Sequence, residues 1–303
     1  YMVNTKLLAD KMFYQPKNKI LATSQTNTVA ADQLVIGISL NGQAKCYPIE
    51  ISGYHHQVQD TIGGIPVIVT YCTVCRTGRV YSPVINGKTE SFRLVGMDHF
   101  NAMFEDATTK SWWRQVSGEA IAGKLKGQSL TEIPSQQTTL SAWLRSNPAS
   151  LILQPDTLFK KDYKDLKGFD KGTIESSLEK RDSASWQMKS WVIGISVNGN
   201  AKAYDWNKLI ANRIIQDSMP SLPLLITVEN DTATYHVLSR TIKDSQLQFV
   251  LYSNELHDTQ THSVWNMDGF CTDGFFKGIQ LRHVQSYQEF WHSWQTFHPN
   301  TIH

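Results

Sequence analysis

Cysteine is scarce in this chain, with four in 303 residues at positions 46, 72, 75 and 271. So few, so spread, do not build a disulfide scaffold in a chain of this length. Charged residues are also few, 18% against 41% hydrophobic, the reverse of a disordered composition. The 29 basic and 27 acidic residues are mixed along the chain and leave a net charge of +2. That gives no field for a polyanion and excludes nucleic acid as the main partner. No apolar run reaches the roughly 20 residues that span a bilayer, and there is no signal peptide. The chain begins at Tyr1 rather than Met, so membrane anchoring through residues before Tyr1 stays open. Gly-x-Ser-x-Gly, the phosphate loop, the dinucleotide glycine fingerprint and His-Glu-x-x-His are all missing, which removes the commonest enzyme classes.

What is present is aromatic content and an internal repeat. Nine Trp, eleven Tyr and twelve Phe come without a basic stripe, which assigns the rings to cores and cleft walls rather than to base stacking. Residues 35–47, VIGISLNGQAKCY, recur at 192–204 as VIGISVNGNAKAY. The match continues in phase: Asp60 answers Asp217, Asp106 answers Asp258, Trp113 answers Trp265, and Trp143 answers Trp294. Each copy opens on a strand, an Asn-Gly pair and a second strand, the signature of a two-residue hairpin. A third Asn-Gly, Asn86-Gly87, predicts a hairpin between 79–81 and 91–94. Ile65 to Tyr71 reads as a buried strand. Helices are expected over Leu7 to Phe13, Thr139 to Arg145 and Tyr287 to Phe297.

The fold class expected is therefore mainly β with a few helices (α+β), as two tandem homologous β-rich repeats packed as a pseudo-symmetric pair. Residues 1–34 form an N-terminal helical and extended segment, 35–150 the first repeat, 151–191 a charged linker, and 192–303 a second, degenerate repeat. The charge run inside 156–182 reads as solvated surface rather than a binding patch.

The repeat doubles as an internal control on chemistry. Where the first copy has Cys72, Cys75, His55 and His56, the second has Glu229, Thr232, Asn212 and Arg213. Packing residues are shared and potential ligands are not, which points to a site in the first copy. Three readings of Cys72-Thr73-Val74-Cys75 stand. The thiols can be merely buried or form a structural disulfide, as in a non-catalytic interaction module. They can be a thiol-disulfide redox pair, although the sequence after Cys75 turns into a strand instead of the helix that usually lowers a thiolate pKa. Or they can be half of a metal site, completed by His55, with His56, His99 and Met97 as further donors. Thiolate with imidazole suits zinc or copper, and a thioether favours copper. This last reading leads: one transition metal ion, zinc or copper, on Cys72, Cys75 and His55. A lone His such as His99 is more often structural than catalytic. Asp60 and Asp106, being duplicated, read as hydrogen-bonding residues of the fold. Arg114 and Glu119 are not duplicated and, with Arg76, are candidates for a cleft; Arg76, next to Cys75, can also lower a thiolate pKa.

Asp60-Thr61-Ile62-Gly63-Gly64-Ile65-Pro66-Val67, then Thr70-Tyr71-Cys72-Thr73-Val74-Cys75, Ser111-Trp112 and Gly118-Glu119-Ala120-Ile121-Ala122-Gly123 resemble the bacterial and archaeal family called domain of unknown function 3179. The resemblance runs to the closing Trp291-His292-Ser293-Trp294 segment. Members carry a His matched by His55 and a Tyr-Cys-x-x-Cys turn matched by Tyr71, Cys72 and Cys75. This chain departs from the pattern with Arg76 in place of a common Gly and His56 in place of a common acidic residue. The resemblance implies an extracytoplasmic setting, periplasmic or anchored in the cell envelope. The partner expected is a small molecule or an envelope protein. It implies no activity.

Overall fold

The structure is a computed structural model that describes residues 1–6 and 15–303. The helix expected over Leu7 to Phe13 lies outside the described residues. The chain divides into two compact units, Tyr1–Arg181 and Asp182–His303. It is mainly β, with four seven-residue α-helices among the described residues. No described helix is long and apolar enough to cross a membrane.

In the first unit, Asn41 and Gly42 take φ of 48° and 78°. Both angles lie in the left-handed region that a type I′ turn demands, and the turn joins Leu34–Leu40 to Gln43–Pro48 with Leu40 opposite Gln43. Gln136–Thr139 pairs antiparallel on one side of this hairpin, and Leu151–Leu153 pairs parallel on the other. The chain then makes helix Ile49–His55. A three-stranded sheet follows, Gln57–Ile62, Ile65–Cys72 and Thr77–Tyr81, with the cysteine strand in the middle. An antiparallel five-stranded sheet carries, in spatial order, Met2–Val3, Phe92–Asp98, Asn101–Asp106, Trp112–Arg114 and Ala120–Ala122.

Helix Leu140–Ser146 begins where the Thr139 hydroxyl accepts a hydrogen bond from the Ala142 amide at 3.3 Å, an ordinary N-cap. It buries Trp143 face-on against Gly37, where an added Cβ would lie 2.3 Å from the indole. The strand has a glycine there because the ring occupies the side-chain volume. Asp106 holds the far sheet. It is fully buried and accepts hydrogen bonds from the Thr109 hydroxyl, the Ser111 amide and the Trp113 indole at 2.7, 3.1 and 3.0 Å.

The stretch expected to link the halves contributes to the first unit up to Arg181. Tyr163, Phe169 and Ile174 within it are buried. These three large apolar side chains dock the segment while its lysines face water, and Asp156 is buried with them.

The second unit is built from Trp191–Val197 and Asn200–Asp205, flanked by Tyr287–Phe290. Next come helix Trp206–Asn212, the sheet of Ile214–Met219, Leu222–Val228 and Tyr235–Ser239, and the sheet of Phe249–Tyr252, Glu255–Asp258, Val264–Trp265 and Cys271–Asp273. Helix Trp291–Phe297 closes it. Trp294 covers Gly194, and the Trp265 indole donates to Asp258 at 3.0 Å.

Two expectations are corrected. Tyr287–Phe290 is a strand, because its aromatic ends pair with the buried strand at 191–194 and that pairing outweighs the helical periodicity. The hairpin at Asn86-Gly87 closes Val84–Ile85 on Lys88–Thr89, a shorter ladder than expected. Helices Ile49–His55 and Trp206–Asn212 were not foreseen. At seven residues each they are too short for a periodic signal, and their stability comes from packing.

Candidate functional site

Strand Ile65–Cys72 is apolar and β-branched because both of its faces are covered, and it delivers Cys72 to the sheet end opposite Thr77. The chain reverses through residues 73–76, where the Arg76 amide donates to the Thr73 carbonyl at 3.1 Å and Arg76 takes φ of 54°. After Cys75 the chain is a strand, as read from the sequence. Two cysteines three positions apart thereby sit at the two ends of one tight turn, and both join one apolar cluster with Ala102, Phe104 and Trp113. All four cysteines are thiols.

Cys72 and Cys75 have different surroundings. Cys75 is 0% exposed, and its sulfur accepts from the Asn101 side-chain amide at 3.6 Å. Cys72 lines a cavity of about 580 Å³, together with His56, Thr73, Met97, Phe100 and Glu179. Its thiol donates to the Phe100 carbonyl at 3.5 Å. The Thr73 hydroxyl donates to Glu179 at 3.2 Å, which brings a carboxylate to the same wall. His56 is held below the usual imidazole pKa by burial, opposed by the Tyr71 carbonyl and by the Glu179 charge.

His55 is fully buried elsewhere. Its Nε2 lies 2.8 Å from the Tyr163 hydroxyl, and its ring packs edge-on against Tyr54 and Phe159. Among the described residues, no group of three or more His, Cys, Asp and Glu side chains is arranged to hold a metal ion. His56, not His55, is the histidine that shares the cavity with Cys72, because helix Ile49–His55 turns successive side chains to different faces. Met97 shares that cavity. His99 does not line it. His99 is largely exposed, with Nδ1 2.8 Å from Asp98.

Arg114 donates from Nε to Asp98 at 2.6 Å and from Nη1 to Glu119 at 3.0 Å. Arg114, Glu119 and His99 therefore form one surface network around a buried carboxylate, with no place in the wall of the cavity. Arg76, expected at a cleft, is in the interior at 1% exposure. Its guanidinium donates to the Phe169 and Asp170 carbonyls at 3.0 and 3.3 Å and stacks over the Phe169 ring at 5.0 Å. A guanidinium can be buried when backbone carbonyls and a ring face replace its water.

Sequence reasoning missed the layer beneath the thiols. Gln115 donates to the Thr70 hydroxyl at 3.0 Å and to the Thr77 carbonyl at 3.1 Å, and accepts from Asn101 at 2.9 Å. Asn101 in turn accepts from the Val116 amide at 2.9 Å and reaches the Cys75 sulfur. Buried amides this fully bonded fix the turn from below. A signal was present: counting from the shared Trp113 and Trp265, Gln115 faces Met267 and Asn101 faces Ser253. Glu179 had no such signal.

The family model described as protein of unknown function, DUF3179, matches residues 15–301. The chain belongs to the DUF3179 family. No curated protein and no solved structure matches it. Membership of DUF3179 thus names the relatives and leaves the chemistry to the residues themselves.

Proposed function

We propose that this DUF3179 chain is a thiol-disulfide oxidoreductase, with Cys72 as the attacking thiol and Cys75 as the resolving one. The observation that carries the reading is the asymmetry of the pair: Cys72, itself only 2% exposed, lines a cavity beside His56 and Glu179, while Cys75, three positions on, is fully enclosed and does not line it. Exchange chemistry needs one thiol that a substrate disulfide can reach and a second close behind it to release the product. The partner on this reading is an envelope protein or small molecule carrying a disulfide. The extracytoplasmic setting that the family resemblance implies belongs to the same proposal, since disulfides persist in oxidising compartments.

The second unit is, on this proposal, a diverged tandem copy that keeps the fold and has lost the thiols. Its strands run in the same order, with Glu229 and Thr232 at the cysteine positions. The repeats span 35–150 and 192–303, with 151–191 between them and 1–34 before.

A second reading keeps one ion, zinc or copper. It is supported by Cys72 and Met97 lining one cavity, a thiol and thioether combination that suits copper.

One experiment separates these readings. Wild type, Cys72→Ser and Cys75→Ser are assayed for reduction of a protein disulfide, with thiol counts before and after reduction and zinc and copper measured by elemental analysis. Turnover lost in both variants, with a mixed disulfide trapped on Cys72 in Cys75→Ser, is the expected result. Wild-type turnover surviving in Cys72→Ser overturns the redox reading. About one ion per chain, lost in Cys72→Ser, favours the metal. A disulfide inert to redox buffer leaves a structural bridge in an interaction module.

A further inference from the structure

We infer that His56 is the proton acceptor for the Cys72 thiol and therefore a second catalytic residue of the site. The inference rests on the thiol reading above and names the base that reading requires. His56 caps helix Ile49–His55 with φ of 58°, a left-handed conformation that histidine adopts more readily than most residues. Its backbone carbonyl accepts from the Tyr71 amide at 3.0 Å, and its ring Nδ1 lies 3.1 Å from the Tyr71 carbonyl oxygen. A carbonyl oxygen can only accept, so Nδ1 carries the hydrogen. In the neutral ring the lone pair is then on Nε2. Burial favours that neutral ring.

The second unit shows what the fold alone asks of this position. Arg213 ends helix Trp206–Asn212 with φ of 67°, its carbonyl accepts from the Val228 amide at 3.0 Å, and its Nε donates to the Val228 carbonyl at 3.0 Å. The clamp is the same: a left-handed cap whose backbone and side chain both bond one residue of the neighbouring strand. A guanidinium satisfies it as well as an imidazole does. Only the imidazole combines the required donor with a lone pair, and it does so in the unit that has the thiols.

The thiol needs such a group. At rest Cys72 donates to the Phe100 carbonyl, which is too weak a base to take the proton at neutral pH. Nε2 takes it, directly or through one water in the cavity, and the Glu179 carboxylate favours the imidazolium that forms. The thiolate pair attacks one sulfur of the substrate disulfide, the S–S bond breaks, and the departing thiolate recovers the proton from Nε2. Cys75 then attacks the Cys72 sulfur of the mixed disulfide, the bond from Cys72 to the second substrate sulfur breaks, and that sulfur leaves as a thiol with the proton Cys75 gives up. The substrate gains two electrons, and the Cys72–Cys75 pair loses them.

The test is His56→Asn. Asparagine tolerates the left-handed cap, and its side-chain N–H can occupy the place of Nδ1–H, while nothing replaces Nε2. The expected result is unchanged melting and disulfide-exchange turnover lower by about a hundredfold, partly restored by added imidazole, which a structural role would not give. Alkylation of Cys72 by iodoacetamide, followed on its own peptide, should slow in parallel. If wild type shows no exchange, the thiol reading fails and alkylation still tests His56. His56→Asn with wild-type turnover and alkylation overturns the inference. So does a nitrogen-15 spectrum of wild type showing the hydrogen of neutral His56 on Nε2, a readout that does not depend on any variant folding.

Discussion

Strand Ile65–Cys72 leads through a turn into Thr77–Tyr81, and strand Leu222–Val228 leads through a turn into Tyr235–Ser239, yet only the first turn carries sulfur. Around the two turns the fold repeats its solutions. Asp106 takes the Trp113 indole and Asp258 takes the Trp265 indole, each at 3.0 Å. Lys45 bonds Asp60 as Lys202 bonds Asp217. The differences gather at one end of the cysteine strand: the thiols, the imidazole of His56, and the amides of Asn101 and Gln115. In the second unit Glu229 answers Cys72, and its carboxylate is bonded at 2.9 Å to His236. What both units share is packing and backbone accounting, and what one unit alone has is chemistry.

The largest effect should come from the shared part. Trp113→Ala and Trp265→Ala each remove a fully buried indole together with the donor to a buried carboxylate, and each should cost its own unit about 3–5 kcal/mol in urea unfolding. A loss under about 1 kcal/mol in one unit alone would break the comparison. Next are Gly37→Ala and Gly194→Ala, whose new methyl groups would lie 2.3 and 2.1 Å from Trp143 and Trp294. Each should cost about 1–3 kcal/mol by overpacking, equally in the two units, read from melting of the variants.

The smallest expected effect belongs to the first unit alone. Asp170 is pushed up to about 6 by burial, against the Leu34 amide and the Arg76 cation, which act to lower it. Its folded pKa exceeds the unfolded one, so the folded state binds more protons between about pH 4 and 6. Stability therefore falls as pH rises through that window. Asp170→Asn keeps an oxygen for the Leu34 amide, bonded at 2.8 Å, and should flatten the fall in unfolding midpoint between pH 4.5 and 7. An unchanged slope would remove Asp170 from the account. Asp106 and Asp258 act with the opposite sign. Burial raises their pKa, but hydrogen bonds from Thr109 and Trp113, and from Trp265 and Thr261, outweigh it. Their contribution is lost as pH falls below about 4.

Much of this was legible beforehand. Asn-Gly pairs marked the opening hairpins because few residues accept positive φ at both turn positions. The β-branched run before Cys72 read as a buried strand, and duplicated Asp106 read as a residue of the fold, which its bonds to Thr109, Ser111 and Trp113 explain. Helix Ile49–His55 was not legible, and with it went the choice between two adjacent histidines. Arg76 looked like a cleft residue because an Arg usually faces water. Its burial depends on carbonyls of Phe169 and Asp170, about 93 residues later in the chain.

By itself the sequence determined the β class, the doubling of the pattern, and the half of the chain that keeps Cys72 and Cys75, since each is written in local spacing and in comparison of one half with the other. Only the tertiary structure decided which histidine accompanies Cys72. That depends on where a seven-residue helix ends and on which carbonyl its last ring can reach, and neither is encoded in neighbouring residues. Long-range packing likewise brought Glu179 to the wall of the cavity and carried His55 away to Tyr163.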